Sequence, residues 1–550
     1  MGTPQERWRL LQGQAQAQEP PGTRLAGARL AGARLLVGAG SCGQAVGALE
    51  VAAELRVGLG KLGLRVPVVE AGCTGMCYGA VQVTLNGQGV PATYSSITPS
   101  EAAAALAQIL KKAPLSSHEA FLWNPDSQTG LPGLPSIPFL WGQRRVVLER
   151  CGLVDPGDIH DALRHGAYGA LARALTEMDP PQVIAVVKES GLLGRGGAYF
   201  PAALKWEGCR AARGEPKYLV VNAEEGEPGI FKDRHLMEGD PHKLLEGMLI
   251  AAYAAGSSRG FLFVNGEAKL SFERLARALD QARSLGLIGK RILGSDFSFE
   301  VELRQGAGGF VLGEETALLE CIEGRRALPR VRPPFPVESG LWGQPTVINN
   351  VETLANVPAV IERGANWFQS LGTEKSRGTK LFGLSGNVAR PGIVEVELGH
   401  TLRDLIFSLG GGVSGKAGLK AVLLGGPSGS LVPPQDLDLS LEPRGKFPLG
   451  SGGVVALDGY RSILDVVHTL IRFNTGESCG KCTPCREGTA RLSDMVAGLE
   501  KGRMPSTVFG ELENLSEVVS LASLCGLGQA APYSVLSALR YFPETRGVSP

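Results

Sequence analysis

The chain has 550 residues, 55 basic and 54 acidic side chains and a formal charge of +1, so neither a nucleic acid nor an anionic membrane surface finds a charge surplus to bind. A hydrophobic content of 43% suits a globular protein with several domains, and no stretch reaches the ~18 uninterrupted apolar residues of a spanning helix. Glycine, at 76 residues, is about twice its usual share and gathers in loops where backbone must approach a partner closely.

Residues 1–32 read as a flexible tail ending in a low-complexity repeat, Leu25–Arg29 and Leu30–Arg34. The first residues lack the apolar core and cleavage box of a signal peptide, and clustered cysteines suit a reducing compartment, so a cytoplasmic location is expected. Ala33–Gly40 predicts a strand, Gly47–Leu62 a helix, and Arg65–Ala71 and Val81–Leu85 two more strands. The Asn86-Gly87 dipeptide marks a hairpin turn, and Glu101–Lys112 is rich in helix formers. These make one α/β unit over 33–115. A Pro-, Ser- and Gly-rich linker covers 116–143.

A large mixed α/β region spans 144–376. Tyr218–Val221 and Gly260–Val264 read as buried strands, Leu244–Ala255 and Leu270–Ser284 as helices. Residues 377–457 change to short strands and Gly-rich turns with one helix near Leu402–Leu409, a β-grasp-like module. Ser462–Phe473 opens a helical C-terminal domain over 458–550.

Several segments carry chemistry. Gly194-Arg-Gly-Gly-Ala-Tyr-Phe-Pro201 is like a dinucleotide loop, but its sixth position is Tyr199 rather than Gly. Its adjacent glycines (Gly194, Gly196, Gly197) would expose N–H groups to an anion, with Arg195 and Lys205 adding charge; an ordinary Gly-rich turn is the other reading. Asn222–Gly229 brings Glu224, Glu225 and Glu227 to a strand exit, where they would hold hydroxyls or polar ring edges, or form a solvated acidic loop. Gly306–Thr316 is a second Gly-rich loop with paired acids, Glu314 and Glu315. Pro333–Pro336 is a rigid loop presenting Phe335, and Pro345–Thr353 offers the adjacent amides Asn349 and Asn350.

Cys479, Cys482 and Cys485 follow C-x2-C-x2-C spacing, with Cys525 forty residues on. That pattern fits a [4Fe–4S] cluster; a zinc site would more often show two C-x2-C pairs, and redox thiols are the third reading. Cys151, Cys209 and Cys321 read as buried small hydrophobes, and the histidines, His235 and His242 among them, show no metal spacing.

Residues from about 144 to 545 resemble the flavin-bearing NADH-oxidising subunit of respiratory complex I and the diaphorase subunits of NAD-linked hydrogenases and formate dehydrogenases. The motifs that carry it are Gly194–Pro201, Asn222–Arg234, Gly306–Leu318, Pro333–Pro336, Pro345–Thr353, Ser478–Gly488 and Ser523–Gly528. The resemblance implies an α/β multidomain chain: a thioredoxin-like domain, a Rossmann-like FMN-binding domain, a ubiquitin-like β-grasp (SLBB) module and a helical [4Fe–4S] domain. By it, FMN would lie against Gly194, Arg195, Gly196, Gly197, Lys205, Asn222, Glu224, Glu225, Phe310, Gly313, Glu314, Asn349, Asn350 and Thr353. NAD(H) would stack on the flavin beside Glu227, the expected catalytic residue. Phe200 and Phe335 would contact the adenine, Glu315 would line the pocket, and Arg332 stands where the family often has Lys.

Several positions depart from the family. Tyr199 and Ala203 replace glycines, Phe310 a tyrosine, Leu312 a cysteine and Glu224 an aspartate; Gly208 stands where an aromatic often flanks the adenine, and Val264–Ala268 also differs. Bulk at Tyr199 is expected where backbone usually meets the cofactor. The first α/β unit, with Cys42, Cys73 and Cys77, resembles a thioredoxin-like [2Fe–2S] ferredoxin, yet Val37 holds the place of the first expected cysteine. A fourth ligand from Ser41, or a vestigial docking domain without a cluster, are the readings left. The expected function is hydride exchange with NAD(H) at FMN and single-electron exchange with the [4Fe–4S] cluster. Partners would be a thioredoxin-like [2Fe–2S] subunit and further iron–sulfur subunits, with no nucleic acid and no membrane insertion. The alternative is an electron-relay subunit that no longer handles nicotinamide.

Overall fold

The computed structural model describes residues 2–18, 23–25, 28–30, 32–87, 90–115, 118–122, 137–505 and 507–546. The chain opens with a helix, α1 (Pro4–Ala17), in place of the expected flexible tail. Thr3 and Glu6 close a reciprocal capping box around Pro4, which satisfies two otherwise orphaned N–H groups. The Trp8 indole donates to the Ala167 carbonyl at 2.9 Å, and Arg164 donates to that of Ala15 at 3.1 Å. Docking, rather than intrinsic propensity, holds this polar Gln-rich segment; Thr23–Leu25 and Ala28–Leu30 pair as a short antiparallel ladder after it.

The first α/β unit has strands β1 (Arg34–Gly38), β2 (Val68–Ala71), β3 (Val83–Asn86), β4 (Ala92–Tyr94) and β5 (Ala120–Leu122) in the order β2-β1-β3-β4-β5. Helices α2 (Ala48–Lys61) and α3 (Pro99–Leu110) share its apolar core. Of the expected Asn86-Gly87 turn, Asn86 instead ends β3, which pairs antiparallel with β4 from Leu85 and Ala92; residues 88–89 lie outside the described residues. Most of the expected 116–143 linker also lies outside them; Ala120–Leu122 is instead part of the sheet, and Pro138–Trp141 is a helical turn.

Helix α4 (Ala202–Ala211) leads into a four-stranded parallel sheet: β6 (Tyr218–Ala223), β7 (Arg259–Val264), β8 (Glu300–Gln305) and β9 (Thr346–Asn350), ordered β8-β7-β6-β9. Tyr218–Val221 and Phe261–Val264 are almost wholly buried, which is why both read as unbroken apolar runs. The helices around it are α5 (Lys232–Gly239), α6 (Pro241–Ala255), α7 (Lys269–Ser284), α8 (Glu315–Ile322) and α9 (Val351–Arg363). The β-grasp module has β10 (Thr379–Gly386), β11 (Gly392–Glu397), β12 (Leu419–Leu424), β13 (Ser430–Val432) and β14 (Gly453–Asp458), ordered β11-β10-β14-β12-β13. The C-terminal helices are α10 (Ile463–Gly476), α11 (Thr483–Glu500), α12 (Val508–Ala522), α13 (Gly526–Ala530) and α14 (Tyr533–Tyr541). Among the described residues no helix is long and apolar enough to cross a membrane.

Candidate functional site

The carboxyl ends of the parallel strands converge on one cleft, the usual place for a ligand in such a sheet. Asn222, next to last in β6, and Asn350, last in β9, lie side by side in register. A cavity of about 210 Å³ opens there, lined by Gly196, Asn222, Glu224, Glu225, Glu227, Ile230, Lys232, Asp233, Phe310, Val311, Gly313, Glu314, Asn350, Ser451, Gly526 and Leu527. Nine of the residues expected from sequence are in this set. Asn222 Nδ2 donates to the Gly313 carbonyl at 2.9 Å and so ties the acidic loop to the second Gly-rich loop. Glu314 caps α8, accepting from Thr316 and Ala317 N–H at 2.9 Å each.

The other expected residues take supporting places. The Arg195 guanidinium is fully buried and donates to the carbonyls of Thr379, Leu193 and Arg377, so its charge does not face the cavity. Its backbone N–H donates to Thr353 Oγ1 at 2.8 Å, and Gly194 N–H to the Phe200 carbonyl at 2.9 Å. Lys205 pairs with Glu315 and the Ile348 carbonyl, and Asn349 Oδ1 accepts the Trp206 indole N–H at 2.8 Å. Arg332 stands 3.9 Å from Glu314; Phe200 and Phe335 are 45% and 52% exposed. The expectation for Tyr199 is corrected: its ring lies in the core of the β-grasp module, away from the cavity. Gly197 backs onto Ser451, where a Cβ would come within 3.4 Å of Ser451 Oγ.

Ile230, Lys232, Asp233, Val311, Gly526 and Leu527 lie inside motifs that carry the resemblance without standing out as site residues, and Ser451 lies outside all of them. Lys232 and Asp233 belong to a buried charge network behind the cavity. Lys232 pairs with Asp233 at 2.7 Å and Glu352 at 3.0 Å; Lys380 pairs with Glu352 at 2.6 Å and donates to the Ser451 carbonyl at 3.1 Å. Asn350 Nδ2 donates to Asp233 at 2.6 Å, which joins the network to the cavity wall. Burial would neutralise Glu352, but Lys380 and Lys232 outweigh it and hold its carboxyl below the usual range.

Burial pushes Glu224, Glu225 and Glu227 each up to about 7. Glu224 Oε2 is buried with no hydrogen-bond partner, while its other oxygen accepts Asn265 Nδ2. A raised carboxyl binds its proton more tightly folded than unfolded. Its contribution to stability is therefore present below its ordinary value of 4.5 and is lost as pH rises through about 7. Glu224→Gln, an isostere of the protonated acid, should accordingly stabilise the flavin-free protein by roughly 1–2 kcal/mol near pH 8 and by little near pH 5. Chemical denaturation at both pH values checks this.

Cys479, Cys482, Cys485 and Cys525 line a second cavity with Ser478, Lys481, Leu524, Leu527, Val311 and Pro329. Cys482 is the N-cap of α11 and Cys485 lies in its first turn; Cys525 precedes α13. Donors converge on the sulfurs: Leu524 N–H lies 3.5 Å from Cys482 Sγ and Ser478 Oγ 3.3 Å from Cys485 Sγ. Burial pushes Cys525 up to about 11, opposed by the N–H groups of Leu527 and Gly528. Among the described residues no three His, Cys, Asp or Glu side chains are disposed to hold a single metal ion. Four thiols spread around one cavity fit a cubane cluster instead. Val311 and Leu527 line both cavities, and Glu477, just before the first cysteine, accepts Phe310 N–H at 2.6 Å.

In the first α/β unit Val37 points into the apolar core. Ser41 gives both its N–H and its hydroxyl to Glu238, at 2.7 and 2.5 Å, so it is no fourth ligand. Cys77 hydrogen-bonds Cys42 and, with Arg234, lowers it to about 6. Neither Val37 nor Ser41 therefore adds a fourth ligand to Cys42, Cys73 and Cys77, where a [2Fe–2S] cluster takes four.

A parallel-sheet cavity of flavin-pocket character, sharing a wall with a four-thiol cluster cavity, defines a flavin and iron–sulfur electron-transfer protein. The Nuo51 FMN-binding domain family matches residues 187–359, the SLBB domain family 380–457 and the NADH-ubiquinone oxidoreductase-F iron-sulfur binding region 465–547. The chain is 44% identical over 404 residues to NADP-reducing hydrogenase subunit HndC of Solidesulfovibrio fructosivorans, covering 73% of this chain and 82% of that protein. It is 44% identical over 382 residues to an NADH-quinone oxidoreductase subunit of Rhizobium meliloti, covering 68% and 90%. The crystal structure of an NAD+-reducing [NiFe]-hydrogenase in the H2-reduced state matches with a TM-score of 0.66 at 29% identity, over 99% of this chain and 89% of that one. The chain belongs to the Nuo51 family of FMN- and [4Fe–4S]-bearing NADH-quinone oxidoreductase subunits.

Proposed function

We propose that this chain takes hydride from NADH at FMN held in the strand-end cavity and delivers single electrons to a [4Fe–4S] cluster on Cys479, Cys482, Cys485 and Cys525. The observation that carries this is the wall common to the two cavities, since Val311 and Leu527 line both. FMN bound there supplies two-electron uptake and one-electron release. Gly196, Asn222, Gly313 and Asn350 would seat it; a Cβ at Gly196 would come within 3.0 Å of Asn350, so only glycine leaves that approach open. Glu224 would meet the ligand with its unpartnered oxygen, and Glu227 would stand beside the reacting rings. Phe200 and Phe335, both well exposed, would take the adenine. The domains would run 33–115, 144–376, 377–457 and 458–550. A thioredoxin-like [2Fe–2S] subunit and further iron–sulfur subunits, in the cytoplasm, would take the electrons onward.

The turn of Tyr199 into the β-grasp core favours this over a relay that has lost nicotinamide, because the expected obstruction is not in the cavity. The test is steady-state oxidation of NADH and of NADPH with a two-electron dye acceptor by FMN-loaded protein. Turnover with either supports the proposal; bound FMN with no turnover by both contradicts it.

A further inference from the structure

Apart from the four thiols, Lys481 is the one ionisable side chain among the described residues that line the thiol cavity; the others are a serine and apolar groups. Lys481 is exposed as a residue, yet its ammonium donates to the carbonyl of buried Pro329 at 2.5 Å. A buried carbonyl needs a donor, and this lysine supplies it. The acceptor is itself fixed. Next in the chain, Arg330 N–H donates to Thr316 Oγ1 at 2.8 Å, and its guanidinium pairs with Glu320 at 2.5 Å and Glu323 at 3.0 Å. The backbone before Lys481 is held as well: Arg326 donates to the Cys479 carbonyl at 3.2 Å and Arg486 to that of Gly480 at 2.6 Å. Both ends of the Lys481–Pro329 bond are therefore anchored, and the ammonium is kept at the cavity wall.

We propose that Lys481 raises the reduction potential of the cluster through this held charge. The proposal rests on the cluster reading of the thiol cavity, and not on the flavin reading of its neighbour. In the step concerned, one electron passes from the reductant, dithionite or reduced flavin, to the cluster, with no bond made or broken. Four thiolates already make the bound cluster anionic, and the electron adds one more negative charge. A cation at the wall favours the more negative state, so Lys481 draws electrons onto the cluster. Arg326 and Arg486 are cations too, but both are exposed and lie outside the cavity lining, and Arg486 is paired with Glu487 at 2.8 Å. Solvent and that partner screen their pull more strongly.

The experiment is a mediated redox titration of the full, cluster-loaded chain with dithionite, reading the electron paramagnetic resonance of the reduced cluster. No nucleotide is added, so the result is independent of hydride chemistry. Wild type, Lys481→Arg, Lys481→Gln, Lys481→Met and Arg326→Gln are compared, each with iron and sulfide analysis. Lys481→Arg keeps the charge, Lys481→Gln loses it but keeps a donor for Pro329, and Lys481→Met loses both. Expected is a roughly tenfold weaker reduction equilibrium in Lys481→Gln and Lys481→Met, a fall of ~59 mV for one electron, with Lys481→Arg close to wild type. Arg326→Gln should lower it by less. Potentials like wild type in both neutral variants would overturn the proposal. So would a fall in Lys481→Met alone, which would make the tether and not the charge the cause, or an equal fall in Arg326→Gln. Loss of the cluster from both neutral variants would make Lys481 a scaffold residue and overturn it too. A wild-type chain that holds no [4Fe–4S] cluster would overturn the cluster reading along with it.

Discussion

Cys482→Ser should empty the thiol cavity of its cluster and cut NADH-driven one-electron transfer by more than the ~10–100-fold typical of losing an outer-shell partner of a metal site. Cys482 sits at the N-cap of α11 and takes the Leu524 N–H, so it ties both cysteine-bearing segments together. A serine hydroxyl in its place is a poor iron ligand and leaves three thiols, too few for a cubane. Oxidation of NADH with a two-electron acceptor should be little changed, because the flavin cavity does not include Cys482. Iron and sulfide analysis alongside the two assays separates the effects. Equal loss of both activities would mean that the cluster domain supports the flavin cavity as a whole.

Glu352→Gln should destabilise the protein by about 3–5 kcal/mol, the usual cost of breaking a buried ion pair from one side. Glu352 is fully buried, accepts the ammonium groups of Lys380 and Lys232, and takes the Leu381 N–H at 2.8 Å. An amide leaves both lysines charged against each other. Burial already lowers Lys380 to about 8 against the raising effect of Glu352, so without Glu352 it loses its proton at still lower pH and the deficit should shrink as pH rises toward about 8 and level off above it. Denaturation near pH 6 and near pH 9 measures the difference. Adding Lys380→Met should recover part of the loss, since a buried charge is then removed together with its partner.

The parts of this site that are legible in sequence are those where chemistry fixes spacing. Four cysteines must reach one cluster, and glycines and amides at strand ends must let a ligand approach backbone. Asn222, Glu224, Gly313 and Asn350 are legible in that way. What escapes depends on packing between distant segments. Ser451 lies in a Gly-rich turn with no motif, and only the fold brings it to the cavity wall. Nothing in the sequence marks Lys232 and Lys380 as buried, yet both are, because Asp233 and Glu352 meet them. Arg195 looks like an anion binder in its loop, but the carbonyls of Arg377 and Thr379 at the β-grasp boundary, with that of Leu193, claim its guanidinium. Tyr199 looks like an obstruction by residue type, but its left-handed backbone turns the ring away from the cofactor side. Helix α1 reads as tail because its composition is polar, and its stability comes from docking against residues 163–169.

The central claim is that one continuous site couples hydride chemistry to a cluster across Val311 and Leu527. Anaerobic titration of the cluster-loaded protein with NADH, following flavin absorbance and the electron paramagnetic resonance of the cluster together, tests it most directly. The account predicts loss of the flavin absorbance with a reduced-cluster signal appearing as it proceeds. Bound FMN that ignores both NADH and NADPH, yet is reduced by dithionite, would contradict it.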